Sequence, residues 1–266
     1  MRSSSFASRF LLLATAASAV ALAALGTGCN ASVTIKPQTK FVGSNAIAKT
    51  ATRALVASDA IEIENANGDV AVVGDATATT VSVTTKVAAF ADNQADGDAA
   101  IADVTATIAI DESAGKFYIH CSEATTAHGT AARGTTACEG FTVTVPAGSS
   151  TAPLTLKATA HNGQLTATGL NGSATVHSDN GDVTASITPA VGSSIDVSSG
   201  NGDVSLALPA TFSADTVTLT AGGPSPKVVT TDFPDVLQTS SANRKAGGAK
   251  SISVTTELGD VTLKKQ

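Results

Sequence analysis

From residue 60 onward, apolar and polar residues alternate along most of the chain. Ile61 and Ile63, Val70 and Val72, Val81 and Val83, Phe141, Val143 and Val145 are separated by single polar or small residues. The same spacing recurs at Leu154 and Leu156, Val183, Ala185 and Ile187, Val204, Leu206 and Leu208, and Ile252 and Val254. Period-two alternation rich in β-branched residues predicts strands buried on one face. Val104, Ala106, Ile108 and Ile110 continue it, and only Asp92 to Asp103 reads as a short helix. The fold class is therefore all-β.

Reversals punctuate these strands. Asn-Gly occurs at Asn67-Gly68, Asn162-Gly163, Asn171-Gly172, Asn180-Gly181 and Asn201-Gly202, and Leu258-Gly259 takes the same place before Asp260. The fuller copies continue as Asp69-Val70, Asp182-Val183, Asp203-Val204 and Asp260-Val261. Asn-Gly suits tight reversals that need positive φ, and the following Val restarts the inward register. Three copies begin at residues 162, 171 and 180, so strand, corner and strand make a rung of about eighteen residues. Two architectures can use that unit: a flattened β-solenoid and a β-sandwich of hairpins. A hairpin at Asn180-Gly181 would face Asp179 across Asp182, and like charges across an antiparallel pair are destabilising. The solenoid is the expected form. Residues 59–145 lack the short period and read as an N-terminal β region with a disulfide-bridged loop, placed to cap the repeat region at 146–266.

The N-terminus has another character. Arg2 and Arg9 precede an apolar run from Phe10 to Leu25, which is shorter than the roughly 18 to 20 residues a bilayer core requires. Small residues then lead to Cys29 through Gly26-Thr27-Gly28. Residues 1–28 read as an export signal peptide, and residues 29–58 as a lipid attachment and flexible tether. The site resembles the bacterial lipoprotein box, although Gly26 occupies the usual aliphatic position and Leu25 lies one place early. That resemblance implies lipidation of Cys29 and a membrane partner reached through the lipid. Ordinary cleavage, releasing a soluble protein, is the alternative. The expected location is the cell envelope, as an outer-membrane lipoprotein.

Charge and inventory remove several function classes. The chain carries 16 basic and 22 acidic side chains, no Trp and a single Tyr, Tyr118. It has neither the basic footprint nor the aromatic platforms of a nucleic-acid binder, so no nucleic acid is expected. Glycan binding by ring stacking is disfavoured for the same reason. In an oxidising compartment, Cys121 and Cys138 are expected to bond to each other. A two-Cys, two-His metal site with His120 and His128 matches no structural zinc spacing. Hydrolase, metalloprotease and phosphate-loop motifs are missing, so no catalytic residue and no cofactor is expected. His161 and His177 with Asp179 and Asp182 make a carboxylate and imidazole cluster conceivable, with solvated corner decoration as the plainer role. Nine-residue Gly and Asp repeats also build calcium-binding β-rolls, but each step here offers too few oxygens for a tight site.

The order Ile61-Glu62-Ile63-Glu64-Asn65-Ala66-Asn67-Gly68-Asp69-Val70, then Val143 to Gly148, then the corners to Gly259-Asp260-Val261 resembles the putative-adhesin family of β-strand-repeat proteins from bacterial envelopes. The resemblance spans about residues 58 to 264. It implies a repetitive β fold outside the membrane and a role in adhesion or in sensing envelope stress. It brings no catalytic residues. Three functions follow: an adhesin or surface scaffold meeting an envelope protein or glycan, a binding module using the loops Ser122 to Ala137 and Gly222 to Ala249, and, weakest, a hydrolase or lyase on a β-helix. An exposed flat ladder of Thr and Ser would favour the first.

Overall fold

The computed structural model describes residues 39–43, 46–56, 58–121, 136–223, 228–234, 236, 242–244 and 248–266. The expected signal peptide, Cys29, His128 and most of the Ser122 to Ala137 loop lie outside them. The strands are β1 (Thr39–Val42), β2 (Ile47–Thr50), β3 (Ala60–Asn67), β4 (Val70–Asp75) and β5 (Ser82–Ala91). A helix, α1 (Gln94–Thr107), precedes β6 (Ala109–Ser113), β7 (Lys116–Cys121) and β8 (Thr136–Pro146). Next come β9 (Leu154–Asn162), β10 (Leu165–Asn180), β11 (Val183–Thr188), β12 (Ser194–Asn201) and β13 (Val204–Leu208). The last are β14 (Ala214–Ala221), β15 (Val229–Thr231), β16 (Ala242–Arg244), β17 (Ser251–Leu258) and β18 (Val261–Lys265).

Pairing is parallel throughout the centre, and it decides for a flattened β-solenoid over a sandwich of hairpins. On the front face the order is β7, β3, β9, the second half of β10, β12, β17 and β14. On the back face it is β8, β4, the first half of β10, β11, β13, β18 and β15. The described residues thus stack seven rungs, about 4.8 Å apart. β10 runs through both faces and turns at Asn171-Gly172, so this Asn-Gly marks the edge opposite to the other four. Phe141, Val70, Leu165, Val183, Val204 and Val261 share one inward register position across the back face, and all are buried. Stacked like on like, they form the core between the faces.

Rung order departs from chain order at both ends. β3–β4 sits between β7–β8 and β9–β10, although β7–β8 follows it in sequence. At the other end β17–β18 inserts between β12–β13 and β14–β15. The first half of the chain therefore supplies true rungs as well as a cap. Its two-residue period is the same, but insertions of conventional structure hide the longer repeat. The cap itself is antiparallel: β5 runs along β8, and β6 along β7.

Two local expectations are corrected. Within residues 29–58, β1 and β2 pair with β5, so this stretch is not a free tether from Thr39 onward. The exposed edge of β5 offers backbone partners to segments too short to read as strands. The helix extends four residues past Asp103, ending at Thr107, with Asn93 accepting from the Asp96 amide as its N-cap. Buried Val104 and Ile108 suit either period, and helical spacing prevails.

The corner at the end of each front strand has a fixed construction. Asn side chains join from rung to rung: Asn162 Nδ2 donates to Asn67 Oδ1 at 3.1 Å, Asn180 to Asn162 at 3.1 Å and Asn201 to Asn180 at 2.8 Å. Each Gly amide donates to the carbonyl before the next corner's glycine, as from Gly181 to Asn201 at 2.9 Å. Buried hydroxyls meet the inward Gly carbonyls: Ser178 to Gly163, Ser199 to Gly181 and Thr256 to Gly202, all at 2.8 Å. Ala160 cannot do this for Gly68, whose carbonyl accepts instead from buried Asn65 at 3.0 Å. Outside, Asp182 accepts the Asp203 amide and Asp203 the Asp260 amide, each at 2.8 Å.

Glycine is required here chiefly by proximity. Gly181 and Gly202 have φ of 154° and 159°, at the margin of ordinary extended backbone. A Cβ at either would lie 2.2 Å from the Gly163 oxygen or 2.4 Å from the Gly181 oxygen. Gly202→Val should therefore destabilise by at least about 1 to 3 kcal/mol, the usual cost of overpacking. Asp203→Asn keeps an acceptor for the Asp260 amide and should cost under about 1 kcal/mol. Thermal melts of the two variants check this; equal losses would contradict the construction.

Candidate functional site

A connected row of polar side chains crosses the front face near the corners. Outward positions on parallel strands of equal register become neighbours one rung apart, so residues distant in sequence meet. Tyr118 on β7 donates to Glu64 on β3 at 2.6 Å. Glu64 lies 3.1 Å from His161 Nε2 on β9, whose Nδ1 lies 2.6 Å from Asp179 on β10. Asp179 also holds His177 Nε2 at 2.8 Å, and His177 Nδ1 meets Ser198 Oγ on β12 at 2.9 Å. Beside the row, Lys116 and Lys157 both pair with Glu62.

Partners fix the protonation states. Both nitrogens of His161 face carboxylates, so both carry protons and the ring is an imidazolium. Its pKa is raised by hydrogen bonding to Asp179 and then to Glu64. Asp179 is held below the usual carboxylate range mainly by His161, and Glu64 mainly by Tyr118 and then His161. Partial burial, with Glu64 beside it, pushes the Tyr118 phenol up to about 12. These side chains of the row's centre are 36% to 47% exposed, so solvent screens their attraction.

The cluster glimpsed in sequence is thus real for His161, His177 and Asp179, while Asp182 stands apart in the corner ladder. Glu64, Tyr118 and Ser198 are members that strand alternation alone could not single out. His120 stacks on Tyr118 with ring centroids 4.8 Å apart and lies 3.5 Å from Asp111. Cys121 and Cys138 form a disulfide with their Cα atoms 6.3 Å apart, closing the corner of the β7–β8 rung. The bond leaves neither Cys121 nor Cys138 as a thiolate, and among the described residues no group of three or more His, Cys, Asp and Glu is arranged to hold a metal.

The row lies on an open sheet. β12 is paired on both sides, to β10 and to β17, and Ser198 stands level with His177 on one side and Thr255 on the other. A cavity of about 400 Å³, lined by Leu55, Val56, Asp75, Pro146 and Leu154 among others, lies at the opposite edge.

No known family profile matches the chain, and no curated protein matches it. Solved structures do. A putative cell adhesion protein from Clostridium sporogenes ATCC 15579 aligns with a TM-score of 0.55 at 9% identity, over 84% of this chain and 100% of that one. A putative adhesin from Bacteroides fragilis NCTC 9343 aligns at 10% identity over 84% of this chain and 98% of that one, with a TM-score of 0.24. The first likeness shows a shared all-β fold.

The network should make stability depend on pH in both directions. His161, with its raised pKa, contributes fully below its unfolded value of about 6.5, and the contribution is lost as pH rises through the folded value. Glu64 and Asp179, with lowered values, contribute above about 4 and lose this as pH falls. Melting temperature should peak between about pH 4.5 and 6.5, and His161→Gln should flatten its alkaline limb. An unchanged profile in that variant would remove His161 from the network.

Proposed function

We propose that this chain is a non-catalytic envelope lipoprotein, anchored through Cys29, that displays its solenoid as an adhesin or surface scaffold. The observation that carries this is the outer back face. Thr142, Ala71, Thr166, Thr184, Ser205, Thr262 and Thr230 occupy successive rungs at one register position. They form an uncharged, regular ladder of hydroxyls and methyls, all at least partly exposed. Such a face offers many weak identical contacts, suited to extended partners with their own repeat, and contrasts with the self-paired charges opposite. The likeness in fold to the Clostridium sporogenes protein supports the same reading.

Attachment to the membrane rests on the lipoprotein-type sequence at Cys29. Among the described residues no helix is long and apolar enough to cross a membrane. Two measurements test the proposal. Intact-mass spectrometry of protein from the native host should show a mature N-terminus at Cys29 with an added lipid mass; its absence refutes the anchor. Cells displaying the protein should adhere to envelope or glycan-coated surfaces better than deletion cells. A Thr184→Lys, Ser205→Lys double variant should reduce that adhesion several-fold while its melting temperature stays within a few degrees of the parent's. Unchanged adhesion would exclude the ladder as the contact surface.

A further inference from the structure

We propose that Ser198 is an activated nucleophile, able to accept one acyl or phosphonyl group from an activated donor. The geometry is that of a hydroxyl, a base and an orienting carboxylate. Ser198 Oγ lies 2.9 Å from His177 Nδ1, and His177 Nε2 lies 2.8 Å from Asp179 Oδ1. An ionised carboxylate only accepts, so Nε2 carries a proton, and in the neutral tautomer this leaves the Nδ1 lone pair facing the hydroxyl. The two nitrogens serve in the reverse sense to that of serine proteases, but the roles are the same.

His161 strengthens the assignment. Its two carboxylate partners keep it protonated, so of the two imidazoles on Asp179 only His177 is open to act as a base. Ser198 is partly exposed on the outer face. The hydroxyl is reachable by a reagent as well as polarised.

In the step itself, a bond forms from Ser198 Oγ to the carbonyl carbon or phosphorus of the donor, and the bond to the leaving group breaks. The serine proton passes to His177 Nδ1 and thence to the leaving group or solvent. The backbone at Ser198 is committed to the sheet, level with His177 on one side and Thr255 on the other, so donors carrying their own activation are the ones expected to react. For the same reason the adduct should persist, making Ser198 an attachment point and leaving the reading of a non-turnover surface protein intact.

The test uses the mature protein and a fluorophosphonate probe, which forms a P–O bond and releases fluoride. Peptide mapping should place the adduct on Ser198, formed at least about 10-fold faster than on Ser194 or Ser253, outward serines of the same face. The rate should fall at least about 10-fold in His177→Gln. Labelling of Ser198 no faster than of Ser194 and Ser253 in the parent protein would overturn the proposal without reference to any variant. So would labelling that survives His177→Gln in a protein whose melting temperature matches the parent's.

Discussion

The approach of one corner to the next governs the rest of this fold. Rungs in parallel register bring Gly163, Gly181, Gly202 and Gly259 each against the carbonyl of the glycine below, and Gly68 against that of Cys138, at distances a Cβ cannot tolerate. Everything around that contact follows from polar groups that must be satisfied once water is excluded. The inward carbonyl takes a buried Ser, Thr or Asn donor; the outward amide finds an Asp oxygen; the side-chain amides bind one another. A corner without glycine would force rungs apart, and the inward Val, Ile and Leu columns of both faces would lose their contact together.

The ends obey a different constraint. A solenoid stops with a row of unpaired backbone groups on each face, which invites pairing with other chains. Here β5 and β6 run antiparallel along the first rung, and β16 does so along β14. The disulfide fixes the corner of the outermost β7–β8 rung, contributing roughly 3 kcal/mol by chain-entropy reasoning. That rung has a neighbouring solenoid rung on one side only, so a covalent tie adds most where stacking contributes least.

Much of this was written in the sequence, because a period of two and a nine-residue spacing are local signals. The strands from Leu154 to Leu208 and the corners at Asn162, Asn180 and Asn201 follow from them directly. The donor two places before the corner asparagine in Ser178-Asp179-Asn180 and Ser199-Gly200-Asn201 was not legible, because it looks like ordinary strand polarity until the inward carbonyl is seen. β1 and β2 were hidden because an edge, and not their own pattern, makes them strands. The polar row was only half legible. His161, His177 and Asp179 lie within the repeats, but Glu64 is 97 positions from His161, and no repeat brings them together.

What brings them together is the inversion of the first two rungs, and electrostatics gives a reason for it. β7 presents Lys116 and His120 outward, and β9 presents Lys157 and His161. In chain order these two strands would be neighbours, with His120 taking the register place of Glu64, level with Thr159 and diagonal to His161, and Lys116 level with Thr155 and diagonal to Lys157. Lys116 and Lys157 would then be diagonal neighbours of like charge with no carboxylate between them, which is unfavourable. Insertion of β3 places Glu62 between Lys116 and Lys157, and Glu64 between Tyr118 and His161. Each surface pair is weak alone, but a network repeated along one strand biases the choice between two rung orders whose apolar interiors are nearly equivalent. The acidic alternation of Ile61-Glu62-Ile63-Glu64 thus serves both faces of its strand: the isoleucines fit any rung of this solenoid, and the glutamates fit best between β7 and β9.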